Sequence, residues 1–284
     1  MIEEKRTKDL RSNWEPLRFR IDASAHLCIL SDFDGTLVPL EKDPTAPQLR
    51  GEARRVFEAL STNPRAVVGI VSGRSLEDLV PRIGLEGIWY VGNHGFEIRN
   101  PRGLERRLYE PEDVEFLSSV RDEMSRELGS IPGVFLEHKG PVLAVHYRAV
   151  EAGRVTDVER GFMQVMSRHR LRLMISSGHA VFEARLRGEV NKGRAVSQIR
   201  YEQLAGTLVL YFGDDLTDRD AFRELRGAGV SVEVGGEESS IADFTLPDPK
   251  AVVAVLSRIR SHLESHRPAG TRVRRAGPEG GGGL

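Results

Sequence analysis

One cysteine in 284 residues means that no disulfide can form within the chain. Cys28 lies inside an apolar run, where a free thiol behaves as a small buried hydrophobe. Such usage fits a reducing compartment, and a cytoplasmic location is expected. Long apolar runs are also missing. No stretch reaches the ~18 residues that span a bilayer, so no membrane association is expected. Residues 1–20 mix charged and apolar side chains and lack the apolar region of a secretory signal. Neither charge sign dominates. A net charge of −1 leaves no basic field for nucleic acid or anionic lipid. Internal repeats are absent. Residues 268–284 are rich in Gly and Arg and almost free of apolar side chains, a composition that predicts disorder. What remains, 39% hydrophobic and 29% charged, is ordinary for a globular protein.

The pattern of what is present divides the chain. Residues 1–24 read as a helical N-terminal segment. Residues 25–107 alternate short apolar strands with amphipathic helices. Leu49, Ala53, Val56, Phe57 and Leu60 recur at helical spacing, and residues 66–71 form a strand. Ser75 and Asp78 have the spacing of a capping box. Such alternation predicts an α/β fold with a doubly wound, Rossmann-like parallel sheet.

The pattern changes at residues 108–186. One helix carries Val114, Leu117, Val120, Met124 and Leu128. Strands at 134–138 and 142–148 flank the turn Lys139-Gly140-Pro141. A second helix and two more strands, at 171–175 and 180–185, follow, with Ser176-Ser177-Gly178 read as their turn. This α-β-β-α-β-β block has hairpins where the first block has crossovers, so it reads as an inserted α+β domain. The crossover pattern resumes over residues 187–267. It has a helix at 193–204, strands at 208–212 and 230–234, and a helix start suggested by Thr217 and Asp220. Asp248-Pro249 caps a last helix bearing Val252, Leu256, Ile259 and Leu263.

Four segments fall at the predicted strand ends, where open α/β sheets bind ligands. The first is Asp32-Phe33-Asp34-Gly35-Thr36, directly after the apolar run of residues 27–30. A carboxylate there can attack phosphorus, and its neighbour can move the leaving-group proton. Gly35 lets the chain turn sharply. Asp-Gly is also ordinary turn chemistry. The second is Ser72-Gly73-Arg74, a hydroxyl before a helix N-terminus; it suits an anion or a plain helix cap. The third is Asn191-Lys192-Gly193, whose ammonium suits a phosphoryl group or an exposed surface. The fourth is Asp214-Asp215-Leu216-Thr217-Asp218. Three carboxylates within five residues repel unless a cation is present, and an all-oxygen set points to Mg²⁺.

In this order the four segments resemble the motifs of haloacid dehalogenase-like (HAD) phosphohydrolases. The resemblance implies a HAD core with a C2-type cap. It implies Asp32 as nucleophile and metal ligand, and Asp34 as general acid/base with its carbonyl on the metal. Ser72 and Lys192 would hold the phosphoryl oxygens, with Gly73 and Arg74 beside the substrate. Asp214 would bind Mg²⁺, supported by Asp215 and Asp218.

A finer resemblance runs from about residue 27 to residue 263. The run from Asp32 to Leu40 with Asp43-Pro44, then Gly92-Asn93-His94-Gly95, Leu136-Glu137-His138-Lys139, His146-Tyr147-Arg148, and Gly213 to Phe222 is similar to trehalose-6-phosphate phosphatases. Glu183-Ala184-Arg185-Leu186 matches that family's pattern near the end of the insert except for a missing Pro. Arg219 stands where Glu is frequent. Period-two spacing places Glu137 with Lys139, and Glu183 with Arg185, on one face of the insert sheet. Spacing alone favours an ordinary solvated face; the resemblance implies that Glu137, Lys139 and Glu183 bind sugar. His94 is expected at the cleft, while His146 and Arg148 are read as structural support for the insert.

The reaction implied is Mg²⁺-dependent hydrolysis of trehalose 6-phosphate by a monomer, in functional sequence with a trehalose-6-phosphate synthase. Other glycosyl phosphates, such as those of sucrose, glucosylglycerol or mannosylglycerate, remain open. So do a phosphomutase and a noncatalytic phosphosugar-binding domain.

Overall fold

The structure, a computed structural model, describes residues 8–41, 43, 45–178, 180–236 and 241–266. The expected disorder of residues 268–284 lies outside the described residues, as do the first seven residues of the N-terminal segment.

Among the described residues the main sheet has nine strands. In spatial order they are β1 (Lys8–Asp9), β13 (Phe244–Leu246), β12 (Val230–Val234), β11 (Thr207–Gly213), β2 (His26–Ser31), β3 (Ala66–Val71), β4 (Trp89–Gly92), β5 (Glu97–Arg99) and β6 (Glu105–Arg107). The first seven in that order run parallel; β5 and β6 add an antiparallel edge. From β2 the chain builds outward through β3 and β4, then returns to the other side at β11. The gap between the ends of β2 and β11 is therefore the switch point of the sheet, where such folds open a crevice.

Side-chain alternation explains why these strands are nearly all apolar. In β2, Leu27 and Ile29 join one core cluster, and Cys28 and Leu30 join another on the opposite face. The first face is covered by α1 (Trp14–Asp22), α2 (Gly51–Ser61), α3 (Leu76–Ile83) and α8 (Pro249–Ser265). The second is covered by α6 (Lys192–Tyr201) and α7 (Asp218–Leu225). Burial pushes the Cys28 thiol up to about 12, so it is an inert core group.

The insert has its own core. Its antiparallel sheet has the order β7 (Phe135–His138), β8 (Val142–His146), β10 (Val181–Leu186) and β9 (Leu173–Gly178). Leu143, Val145, Phe182, Ala184 and Leu173 pack against α4 (Pro111–Leu128) and α5 (Val155–His169). The alternate residues face the main domain.

Several local readings change. Ser176-Ser177-Gly178 is strand, not turn: the three residues pair with Glu183, Phe182 and Val181. The N-terminal segment is not all helix, because Lys8 and Asp9 pair with Phe244 and Thr245 before α1 begins. Ser75 does cap α3, accepting from the Asp78 amide at 3.3 Å. Asp78's carboxylate does not complete the box, because it binds Arg74 and Arg82 instead. Thr217 caps nothing; its hydroxyl is buried without a protein partner. Asp248 accepts from the Ala251 amide at 2.8 Å, with Pro249 opening α8 as its spacing predicts.

Candidate active site

The turn after β2 is built around an approach that only glycine permits. Gly35 has φ +84°, and a Cβ there would lie 2.1 Å from a carboxylate oxygen of Asp214. Thr36 Oγ1 donates to the other Asp214 oxygen at 2.8 Å. The first motif thus places two residues against the fourth, across the switch point. Asp32 continues the ladder through its amide to Phe212 at 2.8 Å, and its side chain is buried.

Lys192, at the first position of α6, is also buried. Its Nζ donates to Asp32 Oδ1 at 2.9 Å and to Asp218 Oδ1 at 2.7 Å. Asp218 is fully enclosed and also accepts from Tyr211 Oη at 2.5 Å and from the Asp215 amide at 2.9 Å. It therefore folds the acidic loop as well as contributing charge to it. Tyr211 was invisible as a site residue in the sequence, where it reads as one more large side chain in an apolar strand. Its hydroxyl, opposite an acid seven residues later, was the available signal.

Ligand atoms of Asp32, Asp214 and Asp218 all lie within 4.8 Å of one another. Burial and the two other carboxylates push the Asp32 carboxyl well above its usual range, against the pull of Lys192. Burial pushes Asp214 up to about 6, with Asp218 adding to it and the Thr36 hydroxyl opposing it. Burial opposes the charge on Lys192, but Asp218 and Asp32 outweigh it and hold the ammonium protonated. Three carboxylates against one ammonium leave negative charge uncompensated. An all-oxygen donor set in that condition fits a hard divalent cation. Asp34 and Asp215 are not in this cluster. Asp215 Oδ1 accepts from the Leu216 amide at 2.6 Å.

Arg74 grips Asp34 in a two-pronged pair, Nε to Oδ2 at 2.6 Å and Nη2 to Oδ1 at 2.8 Å. Its Nη1 binds Asp78 at 2.7 Å. Ser72 is buried at the end of β3, and its hydroxyl accepts from the Arg74 amide at 3.1 Å. Gly73 makes room for His94: a Cβ would lie 2.6 Å from the imidazole.

His94 sits in a left-handed turn with Asn93, at φ values of 57° and 47°. Both reach the insert. Asn93 Nδ2 donates to the Lys139 carbonyl at 3.0 Å, and His94 Nε2 meets Glu183 Oε2 at 3.0 Å. Burial lowers the His94 pKa despite the opposing carboxylate. His94 Nδ1 is buried without a partner, so Nε2 carries the proton and donates. Burial works to raise Glu183, but His94, Lys139 and Arg185 outweigh it and hold the carboxylate well below its usual range.

The insert sheet supplies a row of residues in direct register: Glu137, Ala144, Glu183 and Ser176. Ser176 Oγ donates to Glu183 at 3.1 Å. Glu137 meets His146 Nε2 at 2.8 Å and Lys139 Nζ at 3.3 Å. Arg148 reaches the main domain, donating to the Glu41 carbonyl at 3.2 Å. His146 and Arg148 therefore face the cleft rather than only bracing the insert. The period-two spacing of His146 from Ala144, read with the register, was the missed signal.

These groups line one cleft of about 710 Å³ between the two sheets. Asp32, Asp34, Ser72, Gly73, Arg74, His94, Lys192, Asp214 and Asp215 stand on the main-domain side, with Glu137, Lys139 and Glu183 opposite. Asp218 lies behind, reached through Lys192.

Comparison with known proteins agrees in fold and family. The trehalose-phosphate phosphatase of Mycobacterium bovis (strain BCG) is 33% identical over 244 residues, 83% of this chain and 61% of that protein. The chain thus spans about three fifths of that relative's length. The C-terminal domain of Candida albicans trehalose-6-phosphate phosphatase superposes with a TM-score of 0.79 over 90% of this chain and 98% of that one, at 24% identity. A haloacid dehalogenase-like hydrolase from Bacteroides thetaiotaomicron superposes with a TM-score of 0.61 over 82% and 99%, at 17% identity. The fold is thus the HAD-like sheet with an inserted cap. The trehalose-phosphatase family profile matches residues 30–250, and the chain belongs to that family.

Proposed function

We propose that this protein is a Mg²⁺-dependent phosphatase that hydrolyses trehalose 6-phosphate to trehalose and phosphate. One observation carries the proposal: buried Asp32, paired with Lys192 and beside Asp214, faces the Glu137–Glu183 row across one cleft. A phosphate on the floor and a sugar under the roof fill such a cleft. The family profile supports the choice of sugar.

Asp32 attacks phosphorus, and the bond to the sugar oxygen breaks, leaving an aspartyl phosphate. Asp34 protonates the departing sugar oxygen, then takes a proton from the water that attacks the phosphoenzyme. Water releases phosphate and restores the Asp32 carboxylate. For the first transfer Asp34 must leave the grip of Arg74, so the arrangement described is a resting one. Lys192 and the Ser72 hydroxyl stabilise the phosphoryl oxygens. Asp32 and Asp214 would hold Mg²⁺, with Asp218 bracing the loop and adding charge behind them, and the ion would neutralise phosphate charge. Glu183 and Glu137 accept sugar hydroxyls, held in place by His94, Ser176, His146 and Lys139. On this reading a glucosyltransferase that moves a glucosyl unit from an activated donor onto glucose 6-phosphate, releasing the donor's leaving group, supplies the substrate. The same reading takes the enzyme to be a cytoplasmic monomer.

The test is phosphate release from a panel of sugar phosphates, with Mg²⁺ and after chelation. Trehalose 6-phosphate is expected to be hydrolysed fastest, and only with metal. Preference for another glycosyl phosphate would move the proposal to that sugar, and no turnover of any would overturn it.

A further inference from the structure

A second cluster of ligand atoms lies outside the cleft, where the end of α8 meets the end of α1. His262 and His266 are four residues apart, so they share a helical face, with ring centroids 4.3 Å apart. Asp22 is the last residue of α1. Its Oδ1 stands 2.5 Å from His262 Nε2, across 240 residues of sequence. One ligand atom from each of the three lies within 4.8 Å of the other two.

The donors are oriented by partners of their own. Arg18 Nη1 holds Asp22 Oδ2 at 2.8 Å, which leaves Oδ1 for the imidazoles. His266 Nδ1 lies 2.9 Å from the His262 carbonyl. A carbonyl only accepts, so Nδ1 carries the proton and Nε2 keeps its lone pair. His262 meets Trp14 edge to face at 6.4 Å, and the Arg258 guanidinium covers Trp14 at 4.4 Å. Outer partners of this kind set tautomer and direction in metal sites.

We propose that Asp22, His262 and His266 form a second metal site, for a borderline transition ion such as Zn²⁺. Two imidazoles and one carboxylate suit Zn²⁺, Co²⁺ or Ni²⁺, and do not suit Mg²⁺, which prefers oxygen. The site is half-exposed, so an ion enters from solvent. Binding replaces the Asp22–His262 hydrogen bond and requires neutral imidazoles, so affinity falls in acid. The ion staples the N-terminal helix to the last helix. It adds stability by mass action, because the unfolded chain holds Asp22 far from the two histidines.

The full chain, kept in excess Mg²⁺ to fill the cleft, is titrated with Zn²⁺ by calorimetry, and its Tm is followed. Co²⁺ provides a visible-absorption check on imidazole ligation. The wild type is expected to bind one more Zn²⁺ than the His262→Gln/His266→Ala double variant and to gain Tm with Zn²⁺. His266→Ala alone, at an exposed position, is expected to weaken that binding about 10-fold or more. Phosphatase turnover in Mg²⁺ is expected to be unchanged in these variants, since neither His lines the cleft. Equal Zn²⁺ stoichiometry and equal Tm gain in the wild type and the double variant would overturn the proposal.

Discussion

The floor and the roof of the cleft are built on different rules. On the floor, each charge is fixed by another charge or by backbone. Lys192 is shared between Asp32 and Asp218, Asp218 also binds two loop amides, and Gly35 admits the Asp214 carboxylate where no side chain fits. On the roof, Glu137 and Glu183 are held by side chains, two each, on a sheet whose other face carries the packing. The side chain of Glu137 is 41% exposed, against 7% for Asp32. The floor is preorganised for one charge distribution, which is what phosphoryl transfer demands. The roof can exchange its polar partners for those of a ligand, which is what recognition demands.

The largest test of the comparison removes the floor's nucleophile. Asp32→Asn keeps size and burial, so the protein is expected to fold with a normal circular dichroism spectrum. Turnover should fall on the order of 10⁴-fold or more, for every substrate. Near-normal turnover by a folded variant would remove the covalent mechanism and, with it, the distinction drawn for the floor. Gly35→Ala comes next. Its Cβ would collide with Asp214 and its φ is left-handed. Activity at saturating Mg²⁺ is expected to drop on the order of 100-fold, with a higher Mg²⁺ requirement, while a roof substitution should leave that requirement unchanged.

Roof substitutions should separate substrates. Charge-assisted hydrogen bonds are worth about 1.5–3 kcal/mol each. Glu137→Ala and Glu183→Ala are therefore expected to lose about 10- to 100-fold in kcat/KM for trehalose 6-phosphate. Hydrolysis of p-nitrophenyl phosphate should hardly change, because it never reaches the roof. Equal losses on both substrates would assign these carboxylates to cap folding instead.

The smallest effect is on stability. Asp214 is raised from 3.8 to about 6 in the folded, metal-free protein. Between these values the folded state binds more protons than the unfolded one, so stability falls as pH rises. Chemical denaturation after chelation should show a loss on the order of 1–3 kcal/mol between pH 4 and pH 7, from about 1.4 kcal/mol per pKa unit. Mg²⁺ should abolish the trend. A metal-free protein equally stable at both values would mean that the floor carries no unbalanced charge.

The floor was legible in the sequence because its parts are short runs at strand ends. An apolar run followed by Asp32-Phe33-Asp34-Gly35 carries strand, turn and chemistry within a few residues. The roof was less legible because its parts meet only through register. Glu137 and Glu183 are far apart in sequence, and nothing local says that Ala144 lies between them. Ser176 looked like turn chemistry, since Ser-Ser-Gly is polar and flexible, yet pairing with β10 carries the strand past it. Thr217 looked like a helix cap, yet its hydroxyl is buried without a partner, in a residue that borders the cleft. Tyr211 was hidden by its size, since a large side chain in a strand reads as core whether or not its hydroxyl is in use.

Ala144 has a consequence of scale. It stands one strand from Glu137 and one strand from Glu183, in register with both. Neighbouring strands lie about 4.8 Å apart, so the two carboxylate-bearing backbones are separated by roughly 10 Å. The methyl group between them is too short to fill that width. On the proposed reading the row is a caliper whose jaws are acids and whose span is set by backbone hydrogen bonds. Bulk added at position 144 would shorten the reach of the gauge without touching either jaw. On the proposed reading, an insert sheet with one strand fewer between the acids would suit a single ring instead of a pair.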